Sequence, residues 1–400
     1  MATVRLLPAT RASRFVYVLG TTGTISVFRV EPADRLIPVQ EFVLPPPKPG
    51  QDNANWRLVA HGTKPFLYAA RIGNNAVVVG LRVLPGGRLQ LAFQVHPDGL
   101  EDFVIHPSGH FCYGPSWYGT YDDFTAVGYK GENVARWQIK PNGFLSPLRP
   151  TRATIMDFDA DWHNSTKNMV FDATGRYMFN YFVGHITDSV SRDSHVFRVL
   201  SDGSFVPMNI DFAPPVKNSS EAGPLWAYDD YGTPIFDPQN RWAFMTGYSG
   251  VVVRHYRGNG QLGALAQTGH LPSVRLRKNE ARYSWVMGID PSVRLLYCGE
   301  EYRTFGRNDA RNVGTVYTFS PTGHLGGPVF SAPEMSLYPD AHGTYAYGVE
   351  KRDAGWFLVL LRADAQRGTV QRKDAVPLPI SYPIDFSLWQ GTVVSVLTVP

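Results

Sequence analysis

The chain repeats one short phrase, in which apolar residues lead to Asp or His, then to a turn, a basic residue and an aromatic pair. The phrase reads FVIHPSGHFCY at 103–113, MVFDATGRYMF at 169–179, PIFDPQNRWAF at 234–244 and MGIDPSVRLLY at 287–297. Related copies are LVAHGTKPFLY at 58–68 and MSLYPDAHGTYAY at 335–347, and RASRFVY at 11–17 keeps the second half. Such a repeat indicates a copied supersecondary unit that buries its apolar faces only against its neighbours.

Each copy of the phrase is followed by a second strand–turn–strand pattern. Period-two alternation interrupted by Gly, Pro and Asp is typical of β-hairpins. The second hairpins are ISVFRV with LIPVQEF, VVVGLRV with LQLAFQV, ARWQI with FLSPL, HVFRVL with SFVPMNI, VVVRHY with QLGALAQ, TVYTF with HLGGPVF, and FLVLLRA with TVQRKDAV. Two hairpins per copy predict four strands per unit.

The Asp or His position of the phrase, which we call the anchor, gives the spacing of the units. The predicted anchors are Thr10, His61, His106, Asp172, Asp237, Asp290 and Tyr338. Their spacing suits the roughly 40–50 residues of a four-stranded propeller blade, with long insertions in some units. The segment 380–400 is a further first hairpin, predicted to return beside the N-terminal strands and close the ring. We predict an all-β, seven-bladed β-propeller forming a single domain over 1–400, with eight blades as the alternative.

Composition excludes several function classes. The net charge of +4 comes without a dense basic block, which argues against nucleic acid as a partner. No apolar stretch reaches the ~18 residues of a membrane span, and the N-terminus lacks the apolar core of a secretory signal. Cys112 and Cys298 fall in matching strands of different units, so we expect both to be unpaired. These features predict a cytoplasmic protein.

We predict no cofactor and no metal site. The chain has no G-x-S-x-G, H-E-x-x-H, P-loop or dinucleotide-binding motif. Asp157, Asp159 and Asp161 alternate as at the start of a calcium loop, but Trp162 occupies the position of the glycine such a loop requires.

Loop length differs between the two faces of the predicted ring. Turns within hairpins are short, whereas the connections between hairpins and between blades are long, namely 114–133, 150–167, 183–194, 212–231 and 300–314. Long loops on one face of a rigid scaffold usually carry function. Aromatic side chains in these loops are candidate anchors for another protein. They are Trp117, Tyr118, Tyr121, Trp226, Tyr228, Tyr302 and Phe305.

The innermost strands should begin around the central opening on the long-loop face. Their first residues are candidates for binding a small anionic or sugar-like ligand. These ligand-binding candidates are Trp56, Arg57, Asp102, Asn168, Tyr283 and Trp285. Carboxylates beside a cation can also perform acid–base chemistry, which makes Arg57, Glu101, Lys167 and Glu334 the candidate catalytic residues. The alternative is that these charges only pair with one another across the opening.

The phrase MVFDATGRYMF, followed after a strand and a loop by VFRVLSDGSF, resembles the seven-bladed lactonase family. That family includes propeller-type 6-phosphogluconolactonases and 3-carboxymuconate cyclising enzymes. The resemblance covers most of the chain as a repeat pattern. It implies a central lactone site with His or Arg just ahead of the inner strands, where this chain has Arg57, Glu101, Lys167, Tyr283 and Glu334. Among these, Arg57 has the residue type expected from the family.

Two functions remain open. In the first, the protein is a non-catalytic scaffold, such as a subunit of a larger assembly, that binds another protein through the long-loop face. The low charged content of 18% and the aromatic loops favour this function. In the second, it is a lactonase-like hydrolase or cyclising enzyme acting on a small anionic lactone. Arg57 and Lys167 would then hold the anionic group, and Glu101 or Glu334 would be the base. Carbohydrate binding is a third interpretation.

Overall fold

The computed structural model describes residues 13–20, 22–46, 55–73, 76–97, 100, 102–115, 134–148, 165–183, 195–208, 234–247, 250–267, 280–304, 310–340, 343–379 and 394–399. All regular structure in these ranges is β-strand, and the strands form antiparallel four-stranded blades arranged in a ring of seven. A single strand-pair contact between Gly247 and Ser284 joins the sheets of blades 5 and 6. The predicted seven-bladed propeller is confirmed.

The strands of each blade are given from the centre of the ring outwards and are called a, b, c and d. Blade 1 contains β28 (Val394–Val399), β1 (Ser13–Leu19), β2 (Thr24–Glu31) and β3 (Arg35–Val43). Blade 2 contains β4 (Asn55–Ala60), β5 (Phe66–Ile72), β6 (Val77–Val83) and β7 (Leu89–Val95). Blade 3 contains β8 (Val104–Ile105), β9 (Phe111–Pro115), β10 (Val134–Ile139) and β11 (Leu145–Pro147). Blade 4 contains β12 (Ser165–Phe171), β13 (Tyr177–Val183), β14 (His195–Val199) and β15 (Phe205–Met208).

The other three blades follow the same order. Blade 5 contains β16 (Ile235–Phe236), β17 (Trp242–Gly247), β18 (Gly250–Tyr256) and β19 (Leu262–Gln267). Blade 6 contains β20 (Glu280–Ile289), β21 (Leu295–Thr304), β22 (Ala310–Phe319) and β23 (Leu325–Pro333). Blade 7 contains β24 (Met335–Pro339), β25 (Tyr345–Arg352), β26 (Gly355–Asp364) and β27 (Thr369–Leu378).

The C-terminal strand closes the ring. β28 is strand a of blade 1 and pairs antiparallel with β1, with Val396 opposite Val16. The expected return of the C-terminal segment to the N-terminal strands is therefore confirmed. This pairing holds the two ends of the chain together in one blade, with β28 as its innermost strand.

A buried turn connects strands a and b at each described anchor. At Asp172 the backbone amide donates to the Tyr177 carbonyl at 3.0 Å, and the Gly175 amide donates back to the Asp172 carbonyl at 2.9 Å. The same pair of bonds begins at His106, Asp237, Asp290 and Asp340. The prediction of Tyr338 as the seventh anchor is therefore wrong, because Tyr338 is still within β24, opposite Tyr347. Thr10 lies outside the described residues.

The anchors also connect neighbouring blades. Nδ1 of His61 accepts from the amides of Thr63 and Lys64, so Nε2 carries the proton and donates to the Gly109 carbonyl of blade 3 at 2.9 Å. His106 contacts Gly175 of blade 4 in the same way at 2.7 Å. Aspartate anchors accept instead of donating. Asp172 accepts from the Asn240 side chain of blade 5 at 2.9 Å, and Asp340 pairs with Arg14 of blade 1 at 3.1 Å.

A layer of buried side chains fills each boundary between blades. A recurring tyrosine in strand b donates a hydrogen bond from its hydroxyl to a glycine carbonyl in the turn between strands c and d of the next blade. In this way the Tyr68 hydroxyl donates to the Gly143 carbonyl at 2.9 Å. Tyr17 to Gly87 and Tyr113 to Gly203 are the equivalent bonds. Cys112 in β9 and Cys298 in β21 are both buried and neither forms a disulfide, as expected.

One of the predicted long loops is mostly strand. β21 continues to Thr304 and β22 begins at Ala310, so the segment 300–314 is largely an extension of the b–c hairpin in blade 6. The cause is sustained pairing, since Tyr302 lies opposite Arg311 and Glu301 opposite Asn312.

Candidate functional site

The inner strands of blades 2 and 3 bring together a predicted cation and a predicted carboxylate. Arg57 belongs to β4, and Asp102 comes just before β8. Arg57 Nε lies 3.0 Å from Asp102 Oδ1, and the two side chains are 14% and 3% exposed. Alternation along β4 explains the geometry, since Trp56 and Leu58 pack towards blade 1 and the residue between them points to blade 3.

Asp102 makes two further hydrogen bonds. Its Oδ1 accepts from the Phe103 amide at 2.7 Å, and its Oδ2 accepts from the Met169 amide of blade 4 at 3.4 Å. Burial raises the pKa of Asp102, while Arg57 and the two amides act in the opposite direction. One carboxylate thus connects the inner strands of blades 2, 3 and 4, and both of its oxygens have donors.

Glu334 lies at another boundary, between β23 of blade 6 and β24 of blade 7. Its Oε1 accepts from the Asn312 amide at 3.4 Å, and its own amide donates to the Asn312 carbonyl at 2.8 Å. Its carbonyl accepts from the Lys351 amide at 2.9 Å. With φ at 52° the backbone is in the left-handed region, which a non-glycine residue adopts at a cost. The structure therefore assigns Glu334 contacts that hold two blades together, away from Arg57.

Two predicted site residues belong to the core. Trp56 is 4% exposed and packs between blades 1 and 2 beside Leu44, so its ring is not available to a ligand. Tyr302 is also 4% exposed, and its hydroxyl donates to Glu300 Oε2 at 2.5 Å. The guanidinium of Arg311 covers the Tyr302 ring at 4.7 Å. Trp56, predicted as a ligand contact, and Tyr302, predicted as a partner anchor, are therefore both buried in this structure.

Sequence reasoning missed Glu300. This side chain is 1% exposed and accepts hydrogen bonds from the hydroxyls of Tyr302 and Tyr317. A buried carboxylate is stable only when hydrogen bonds replace its hydration, which the two tyrosines provide. The signal in the sequence is an acidic pair that directly follows the apolar run LLYCG of β21.

The other predicted site residues have no described side chains. The backbones of Lys167 and Asn168 lie in β12, where the pairing shifts register between Thr166 and Asn168, and those of Tyr283 and Trp285 lie in β20. Glu101 lies outside the described residues, as do the predicted partner anchors Trp117, Tyr118, Tyr121, Trp226, Tyr228 and Phe305.

Chemically, the described part of the site is a buried, hydrogen-bonded ion pair. The Arg57 side chain is not completely buried, since 14% of it is exposed. Within the described ranges, no group of three or more His, Cys, Asp or Glu side chains is arranged to hold a metal ion. The same residues contain no helix with the length and hydrophobicity of a membrane span.

Comparison with known proteins identifies the same architecture. No protein-family model and no curated protein sequence matches the chain. Among solved structures, the chain is similar to the periplasmic gluconolactonase PpgL of Pseudomonas aeruginosa, with a TM-score of 0.61 and 17% identity over 97% of this chain and 99% of that chain. It is also similar to a protein of Bacteroides uniformis provisionally named a 6-phosphogluconolactonase, with a TM-score of 0.61 and 15% identity over 97% of this chain and 100% of that chain.

A third similar structure, from Bacteroides fragilis, carries the same provisional name. Its TM-score is 0.61 and its identity 14%, over 98% of this chain and 100% of that chain. The chain therefore has the fold of the 6-phosphogluconolactonase-like seven-bladed propellers, and the predicted resemblance is confirmed as a resemblance of architecture. Identities this low carry no information on activity.

Proposed function

We propose that the protein is a non-catalytic propeller that binds another protein through its long-loop face. The observation that carries the proposal is the pairing of Arg57 with Asp102, whose side chains are 14% and 3% exposed. Arg57 is the residue that the lactonase resemblance nominates, and here its Nε is bound to a buried carboxylate that also accepts from the Met169 amide. Such a pair fixes the relative positions of three blades, which is a framework role.

Glu334 supports the same proposal. A general base needs a carboxylate that can approach the substrate. Oε1 of Glu334 already accepts a hydrogen bond from the Asn312 amide. Glu334 lies at the boundary of blades 6 and 7, whereas Arg57 lies at the boundary of blades 2 and 3. Arg57 and Glu334 therefore lie at different blade boundaries, whereas a cation and a base that act on one lactone must be adjacent.

A lactonase-like activity on a small anionic lactone is the second candidate. It is favoured by the shared fold and by the remaining exposure of the Arg57 side chain near the start of an inner strand. In that case Arg57, fixed by Asp102, would bind the anionic group of the lactone.

Capture from native extract, followed by reconstitution, tests the first candidate. The tagged full chain is used to isolate its partner, which is identified by mass and then produced in pure form. The purified pair should form a complex on size-exclusion chromatography with light scattering. Trp117→Ala with Tyr121→Ala should abolish this complex, because aromatic anchors dominate interfaces. Leu200→Ala is the matched control, since Leu200 is an exposed apolar residue in the turn between strands c and d of blade 4, on the face opposite the long loops.

Turnover assays separate the two candidates. The purified wild-type chain is incubated with small anionic lactones, and hydrolysis is followed by acid release. Turnover by the wild type that survives in the Trp117→Ala/Tyr121→Ala variant would replace the scaffold proposal with the enzymatic one. Absence of turnover together with a reconstituted complex would support the scaffold proposal.

A further inference from the structure

The face opposite the long loops, which we call the short-turn face, carries an uneven distribution of charge. It is formed by the a–b and c–d turns of the blades. In blade 2 these turns read HGTKP and LPGGR, and in blade 3 they read HPSGH and KPNGF, without any acidic residue. Each of blades 4 to 7 has an aspartate in its a–b turn, namely the anchors Asp172, Asp237, Asp290 and Asp340. Blades 2 and 3 have neutral histidine anchors instead.

Three cations meet at the boundary between blades 2 and 3. Lys64, from the a–b turn of blade 2, places its Nζ 3.1 Å from the Lys140 carbonyl in the c–d turn of blade 3. Lys140 itself is exposed, and its Nζ donates to Gln138 at 2.7 Å. Arg82 in β6 is exposed and lies 5.9 Å from the centre of the Phe66 ring. Phe66 in turn packs against Gly143 of blade 3, so all three cations border one boundary.

These cations have no acidic counterpart in the described structure. Ion pairs do occur at other places on the same face, as in Arg241 with Asp237 and Arg362 with Asp34. None is formed by Lys64, Arg82 or Lys140 with the described residues. Like charges held close together without a counter-charge repel one another, which an anionic partner would relieve.

An exposed aromatic side chain adjoins the cations. Phe144 follows the Lys140 turn, is 37% exposed, and stacks on Phe93 of blade 2 with the ring centres 4.8 Å apart. Phe93 has room because Gly80 lies beneath it, where a Cβ would come within 2.0 Å of the ring. The two stacked rings thus form a small apolar surface at the outer part of the boundary between blades 2 and 3.

We propose that the boundary of blades 2 and 3 on the short-turn face binds an acidic peptide segment of another protein, with carboxylates on Lys64, Arg82 and Lys140 and an apolar side chain on Phe144. A nucleic-acid strand would need cations and stacking rings repeated along a path. Phe144 is the exposed large aromatic among the described residues, and blades 2 and 3 are the blades in which the a–b and the c–d turn both lack an acidic residue. This surface is separate from the long-loop face and extends beyond the function proposed above.

Fluorescence anisotropy with defined peptides tests the proposal on the full chain. The probe is a short labelled peptide in which Glu alternates with Leu, and matched peptides replace Glu by Gln or by Lys. We expect the Glu peptide to bind, to weaken as salt is raised, and to lose about tenfold or more in affinity in Lys64→Gln/Arg82→Gln/Lys140→Gln. Phe144→Ala alone, with the three cations intact, should also weaken binding of the Glu peptide. Arg88→Gln removes an exposed cation of the same face beside blade 1 and should leave binding unchanged.

Several outcomes overturn the proposal. They are equal binding of the Gln and Glu peptides, an unchanged affinity in the triple variant, an equal loss in Arg88→Gln, or no binding of the Glu peptide at all. Binding of a labelled oligothymidine or of phosphatidylserine vesicles in place of the Glu peptide would assign the surface to nucleic acid or to membrane. A denaturation midpoint equal to that of the wild type confirms that each variant is folded.

Discussion

Arg57 and Asp102 form a buried ion pair, with Nε and Oδ1 3.0 Å apart, between the inner strands of two neighbouring blades. Asp102 also accepts from the Met169 amide, so the pair reaches a third blade. Residues that the sequence nominates for ligand chemistry thereby acquire a role in positioning the blades around the opening.

Arg57→Ala should strongly destabilise the fold. Removing one partner of a buried pair leaves the other charge uncompensated and costs about 3–5 kcal/mol. Arg29→Ala is the matched control, because Arg29 pairs with Glu31 at 2.8 Å but is 47% exposed. Exposed pairs contribute about 0.5 kcal/mol. Urea denaturation of both variants measures the difference, and equal midpoints for the two would show that the Arg57 pair contributes little.

Tyr68→Phe and Tyr347→Phe should differ in effect, although both residues are fully buried at equivalent positions. The Tyr68 hydroxyl donates to Gly143 at 2.9 Å, so its loss leaves a buried carbonyl unpaired and costs about 1–3 kcal/mol. The Tyr347 hydroxyl has no hydrogen-bond partner among the described residues, so its removal should be neutral or stabilising. Denaturation midpoints of the two variants test this, and a larger loss for Tyr347→Phe would reveal a partner for that hydroxyl.

Stability should fall when the pH drops from neutrality. Burial lowers the pKa of His61, with smaller contributions in the same direction from Lys64 and His110, and burial also lowers the pKa of His106 despite its bond to Gly175 and the charge of Asp172. The unfolded chain, whose histidine pKa is about 6.5, then binds protons before the folded chain does. The stabilisation is complete above that pH and is lost as the pH falls through the lowered folded values.

The double variant His61→Gln/His106→Gln isolates this contribution. Glutamine can donate to the facing carbonyl but does not titrate. The decrease in denaturation midpoint between neutral and mildly acidic pH should be smaller in the variant than in the wild type. The carboxylates titrate in both proteins and cancel in the comparison. An identical decrease in both proteins would exclude the two anchors as the source.

Gly175→Ala should destabilise more than Gly86→Ala. Both glycines have left-handed φ values, 72° and 82°, so alanine costs about 1–2 kcal/mol at either position. At Gly175 a Cβ would also come within 2.6 Å of the His106 ring, whereas at Gly86 no atom lies within 4 Å. Thermal denaturation distinguishes the two contributions. Equal losses would show that His106 moves aside without cost.

The repeated phrase by itself determined the blade count, the four strands per blade and the closure of the ring, because strand alternation and turn residues are local properties that recur with each unit. It misplaced the seventh anchor, since PDAHG allows more than one turn register and only the hydrogen bonds starting at Asp340 decide between them.

Tertiary structure alone decided which charges meet. Arg57 and Asp102 are far apart in sequence and pair because neighbouring blades place them side by side. It also decided that Trp56 and Tyr302 are buried and that Lys64, Arg82 and Lys140 share a boundary, since net charge and residue order do not specify which face of a ring a side chain occupies.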